Sequence, residues 1–174
     1  GGWVSDLSTA IMDRALFHLD NAYYIPAARF VGQVCKTNLP SNTAFRGFGG
    51  PQGIVVIEKI MNEAAEQLGL DPAELRRRNF YGPKTGVTAP YGQVLSEIRL
   101  DRIYDELMHS SNYAQRRADI DAFNQSNRFV KRGIGFQPVK FGISFTNSLL
   151  NQAGALLLIY ADGTVQMNHG GTEM

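Results

Sequence analysis

The residues with most chemical capacity lie in NTAFRGFGGPQG, residues 42–53, where an arginine stands between two phenylalanines among four glycines. Arg46 and Phe48 are two apart, so in an extended chain they share a side. A cation beside an aromatic ring can stack a flat heterocycle and bind its oxygens. Gly47, Gly49 and Gly50 let the main chain bend tightly and approach a neighbour closely. Pro51 suits a helix start, so the loop leads into a helix N-terminus, where free amides and the helix dipole favour an anion or an electron-rich oxygen. The spacing matches neither GxGxxG nor GxxxxGK[ST], which sets nucleotide fingerprints aside. These residue types alone serve a ligand-contacting loop or a merely tight turn, and Phe48 is also a common kind of core residue.

Elsewhere the chemistry is thinner. Arg14 falls on or near a helix, where a solvated face is the ordinary reading, and the run Arg76-Arg77-Arg78 reads as a solvated helix face as well. His18, His109 and His169 lack metal-ligand spacing and receive no chemistry. Glu63 and Glu66 fall on the polar side of a helix, and no catalytic carboxylate pair stands out. The single cysteine, Cys35, excludes an internal disulfide and a CxxC pair. It reads as an inert buried strand thiol in a protein of a reducing compartment, the cytoplasm by default.

Several elements must position these groups. Leu7, Ile11 and Ala15 predict a helix over 6–16, followed by a loosely alternating strand within 22–37. Ile54, Ile57, Met61, Ala64 and Leu68 predict a helix from Pro51 to Gly69, and Val55 and Val56 make its first turn apolar all round and hence buried. Asp71-Pro72-Ala73-Glu74 is a capping box opening a short helix. Residues 81–93 read as loop, 101–109 and 113–125 as two surface helices, and 133–145 as a strand. ALLLIY and TVQMNH flank Ala161-Asp162-Gly163, a hairpin signal because Asp-Gly suits the positive φ of tight turns.

The fold class is α+β, mixed strands and helices, in a chain of 174 residues with 44% hydrophobic and 19% charged residues. A single domain is expected, with two lobes meeting near 128–140. Seventeen basic and sixteen acidic residues leave no field to attract nucleic acid or an anionic membrane. The longest apolar run, ALLLIY, is far short of the roughly 20 residues of a membrane span. Both ends read as cut from a longer protein.

Four blocks then carry a resemblance: DRALFHLDNAYYIP (13–26), NTAFRGFGGPQG, FGISFTNSLLNQAGALLLIYADG (141–163) and NHGGTEM (168–174). In this order they resemble the molybdenum-binding portion of the xanthine dehydrogenases, within the molybdenum hydroxylases that include aldehyde oxidases. The resemblance implies a fragment of a molybdenum-cofactor-binding domain. Arg46 would lie at the molybdenum centre with its backbone amide near a metal oxygen. Phe48 would pack against the substrate ring, and Phe145 and Thr146 would supply a second ring contact and a polar contact. Arg14 would face a purine oxygen and act catalytically by stabilising negative charge on the ring, which favours purine over aldehyde. Met174 would lie near the cofactor.

The implied reaction is oxidation of xanthine or hypoxanthine, by attack of a metal hydroxide and transfer of hydride to a metal sulfide. The glutamate base of that reaction would lie beyond Met174 and a substrate-binding glutamate before Gly1, so this chain alone should be inactive. The intact enzyme would also carry 2Fe-2S clusters, FAD and NAD, on other domains or subunits, and form a homodimer. An aldehyde-oxidising relative and a non-catalytic binding module remain the alternatives.

Overall fold

The computed structural model describes residues 3–142 and 144–171. Helix α1 (Ser8–Phe17) runs beside the long helix α2 (Gly50–Leu68), and α3 (Pro72–Arg78), α4 (Leu100–Ser110) and α5 (Tyr113–Ser126) follow. The hairpin β1 (Ala155–Ile159) and β2 (Val165–His169) closes the described chain. The class is α+β, as the residue pattern predicts.

Local chemistry sets the helix ends. Gly49, at φ +103°, takes the left-handed N-cap position of α2, and Pro51 sits in its first turn. Gly69, at φ +63°, ends the same helix, and its amide reaches the Ala65 and Glu66 carbonyls. The Asp71 carboxylate then accepts from the amides of Ala73 at 2.8 Å and Glu74 at 3.4 Å, which caps α3. In the hairpin, Ala155 pairs with His169 and Ile159 with Val165, around a turn in which Gly163 has φ +85°.

The core forms where the apolar stripe of α2 meets α3 and the residues after them. Tyr23, Ile57, Met61, Ala65, Ala73, Leu75, Phe80 and Tyr104 make one buried cluster, with Phe136 packed against it. Full burial of a side chain such as Ile57 or Met61 contributes about 1.5–3 kcal/mol. A second, polar layer lies beside it. Glu58 accepts from Asn21 at 2.8 Å, Tyr23 at 2.5 Å and Arg76 at 2.8 Å, with all four residues buried.

Several expectations are corrected here. No ladder strand forms over 22–37, nor over the described part of 133–145. The Lys140 and Gly142 amides bond the side chains of Asn21 and His18, just after α1, and the Phe145 amide bonds that of Asn151, so alternation there does not signal a sheet. Val55 and Val56 are 65% and 50% exposed, because the buried stripe of α2 runs through Gly53, Ile54, Ile57 and Met61 instead. Arg76 is 3% exposed and bonded to Glu58, so the triple-arginine run is solvated at Arg77 and Arg78 but not at its first member. Cys35 is exposed rather than buried. Among the described residues no helix is long and apolar enough to cross a membrane.

Candidate functional site

The glycine loop comes close to helix α1. A methyl group on Gly49 would overlap the Ile11 carbonyl, and one on Gly53 would overlap the Ala15 carbonyl. Those two glycines therefore serve helix-to-helix contact. Between them and Arg46 the chain makes three successive positive φ angles, at Gly47 (+90°), Phe48 (+50°) and Gly49 (+103°). Phe48 is the costly member, since a side chain in the left-handed region is disfavoured. The amides of Phe48 and Gly50 bond to the carbonyls of Phe45 and Gly47 at 2.7 and 2.9 Å, which fixes the bend.

The bend aims the Phe48 ring at Phe145. Their centroids are 5.3 Å apart and the planes are inclined at 54°. Both rings wall a hollow of about 800 Å3, together with Arg46, Gly47, Gln152 and the glycine pair Gly170-Gly171. Ser144 and Phe145 also wall a second, smaller hollow of about 190 Å3, whose other side is Arg14, His18, Tyr91, Gln93 and Thr146. Arg46, Phe48 and Phe145 thus share one hollow, and Arg14, Phe145 and Thr146 share its neighbour. Met174 lies outside the described residues.

Arg14 is 2% exposed, against the solvated face that helix position alone predicts. Its guanidinium donates to the Ser144 carbonyl at 2.5 Å and to the Gly142 carbonyl, and it sits 5.1 Å from the centre of the Phe141 ring. Its Nε has no hydrogen-bond partner among the described residues. Burial pulls the guanidinium below its ordinary range, though it keeps its charge.

Sequence reasoning missed the groups that hold these residues in place. The His18 imidazole bonds the Arg14 carbonyl at 2.8 Å and accepts from the Gly142 amide at 3.1 Å. Asn21 donates to the Pro138 carbonyl and accepts from the Lys140 amide, at 2.9 and 3.0 Å. Asp20 accepts from Tyr81 at 2.6 Å and pairs with Lys140, and burial with this bond raises the Tyr81 phenol. Asn151 accepts from the Phe145 amide at 2.7 Å and donates to its carbonyl at 3.2 Å. One signal was available. Arg14 and His18 stand at i and i+4, one turn apart at the end of α1, where His18 is the C-cap; Asn21 follows beyond the helix, at φ +42°.

The arrangement offers a recess with two aromatic walls and backbone surfaces without side chains, with a buried cation in the adjoining hollow. Such a site can take a flat molecule rich in heteroatoms.

Comparison with known proteins adds an independent line. Residues 1–80 and 106–174 match two family profiles, each described as a molybdopterin cofactor-binding domain. The chain is 53% identical over 174 residues to a xanthine dehydrogenase/oxidase of Mus musculus, covering 100% of this chain and 13% of that protein. It is 48% identical over 173 residues to a xanthine dehydrogenase of Dictyostelium discoideum, covering 99% and 13%. The chain thus spans about an eighth of the length of the curated relatives it matches. Among solved structures, the aldehyde oxidoreductase from Desulfovibrio gigas superposes with a TM-score of 0.60 at 26% identity, over 92% of this chain and 17% of that one.

Proposed function

This chain belongs to the molybdopterin cofactor-binding domain family, and on that premise we propose that it is part of a molybdenum hydroxylase that oxidises a purine such as xanthine or hypoxanthine. The observation that carries the proposal is the contact of Phe48 with Phe145 in the hollow bearing Arg46, with Phe145 also lining the hollow that bears Arg14.

The residues present fit the cofactor. A volume of about 800 Å3 suits a small-molecule site, and Gly47, Gly170 and Gly171 put main chain on its wall. In this reading Arg46 and its loop hold the group, with Met174 as a further cofactor-binding residue. When bound, the molybdenum–pterin group supplies oxygen transfer and accepts two electrons.

The remaining work belongs to side chains of this chain. Inclined at 54°, the two phenylalanines let a flat ring lie on the face of one and meet the edge of the other. Thr146 offers a hydroxyl in the second hollow. Arg14, buried beside it, stabilises negative charge as it develops on a purine oxygen, and weak solvation there increases the effect. The longer protein supplies the glutamate base, the 2Fe-2S, FAD and NAD domains, and a dimer partner, in the cytoplasm. The same reading divides the fragment into two lobes meeting near residues 128–140.

Arg14→Met in the intact protein tests the reading. Xanthine turnover should fall far more than turnover of an aldehyde, with molybdenum content unchanged. Equal losses would overturn purine specificity, and an intact protein that never carries molybdenum would overturn the enzyme itself in favour of a binding module. A second reading, aldehyde oxidation, draws on the donation of both terminal Arg14 nitrogens to main-chain carbonyls. The same substrate pair separates it.

A further inference from the structure

We propose that His18 is a positioning residue, holding Gly142 so that Phe145 and Thr146 face their hollows. The functional half of this inference rests on the reading given above, whereas its structural half does not.

The argument starts from hydrogen-bonding roles. The Gly142 amide can only donate, so His18 Nε2 must accept. The Arg14 carbonyl can only accept, so Nδ1 must carry the proton. Both ring nitrogens are therefore committed within the protein, and the neutral imidazole is the form that satisfies them. Burial also pulls its pKa below the ordinary value, which favours the same form, as do the charges of Arg14 and Lys140; the hydrogen bond to Arg14 and the charge of Asp20 act the other way.

Next comes what the histidine grips. The Gly142 peptide is held at its amide by His18 and at its carbonyl by Arg14, and Arg14 also takes the Ser144 carbonyl. The Phe141 ring packs against the imidazole, with centroids 4.8 Å apart. Among the described residues no sheet ladder supports 138–146. In its place stand Asn21 at Pro138 and Lys140, His18 and Arg14 at Gly142, Arg14 at Ser144, and Asn151 at Phe145. His18 supplies the amide-side hold nearest to Phe145 on the α1 side. Among the described residues it bonds no other group, and it is itself 5% exposed, so its loss leaves the Gly142 amide without its acceptor.

Side-chain length gives the test. Glutamine can present an acceptor near the Nε2 position, whereas asparagine reaches only to the Nδ1 position. In the intact protein, hydrogen exchange of the peptide 141–147 should quicken about tenfold or more in His18→Asn and stay within threefold of wild type in His18→Gln. In the same preparations, KM for xanthine should rise about tenfold in His18→Asn with kcat and molybdenum content nearly unchanged, and His18→Gln should restore it. Equal behaviour of the two variants, or unchanged exchange in His18→Asn, would overturn the proposal. The exchange pattern in a protein that oxidises no purine would support the positioning and overturn the functional reading.

Discussion

Removing one partner of the Glu58–Arg76 pair should be among the most damaging changes available outside the two hollows. The side chains of Arg76 and Glu58 are 4% and 10% exposed and 2.8 Å apart. Arg76→Met leaves the Glu58 carboxylate buried with, among the described residues, only Asn21 and Tyr23 as donors. Breaking such a pair costs about 3–5 kcal/mol, because the remaining charge has lost its solvent and its counterion. Glu58→Met should cost more. It leaves the guanidinium with the neutral acceptors of Pro72 and Asn62 but without its counterion, and it removes the acceptor of the Tyr23 hydroxyl and one of the two acceptors of the Asn21 amide, each orphaned N–H or O–H costing about 1–3 kcal/mol. The double variant should fall short of the sum of the singles by about 1–3 kcal/mol, since the two losses share one interaction.

Native-state hydrogen exchange of α2 and α3 peptides in the intact protein measures these opening energies. The peptide containing Lys140 should lose protection in the Glu58 variants, because Asn21 bridges Glu58 to the Lys140 amide. An Arg76→Met loss below about 1 kcal/mol, or strict additivity in the double variant, would refute the reasoning.

Phe48 offers a separation of ring from backbone: Phe48→Gly removes the ring and the strain of φ +50°, whereas Phe48→Ala removes the ring alone. KM for the purine should rise two- to about tenfold in both, while the glycine variant unfolds at least about 1 kcal/mol less readily than the alanine one, as measured by denaturant titration. Two titrations bound the pH range of stability. Burial depresses His18 below its unfolded value of about 6.5, so its contribution is complete above that pH and is lost as pH falls through the folded value. Tyr113, pushed up to about 12 by burial and then by Asp71, contributes fully below about pH 10 and loses that contribution as pH rises towards 12. Denaturant titrations across pH should show the acid limb flattened in His18→Gln and the alkaline limb flattened in Tyr113→Phe.

What was legible in the chain was local. Ile54, Ile57 and Met61 announce the buried stripe of α2, Asp71 announces the cap of α3, and Asp162-Gly163 announces the hairpin turn. Each depends on neighbours within a turn or two. The segment 133–145, expected as a strand, depends on partners more than a hundred residues away: Lys140 meets Asn21 and Gly142 meets His18, so its alternation carried no ladder. Arg76 was hidden for a similar reason, because its carboxylate lies on a different helix and three adjacent cations look alike without it. In the candidate site, the sequence blocks named the residues that line the hollows but not those that support them. Asn151, Asn21 and His18 act on main-chain atoms, and main-chain atoms leave no letter in a sequence.

The abutment of Gly49 and Gly53 on the carbonyls of α1 has a mechanical consequence. With no side chain between them as a cushion, the helix bearing Arg14 and the bend bearing Arg46 form one stiff bracket. A push on either arm is transmitted to the other, so the spacing of the two guanidinium-bearing segments survives motions that open or close the recess around them.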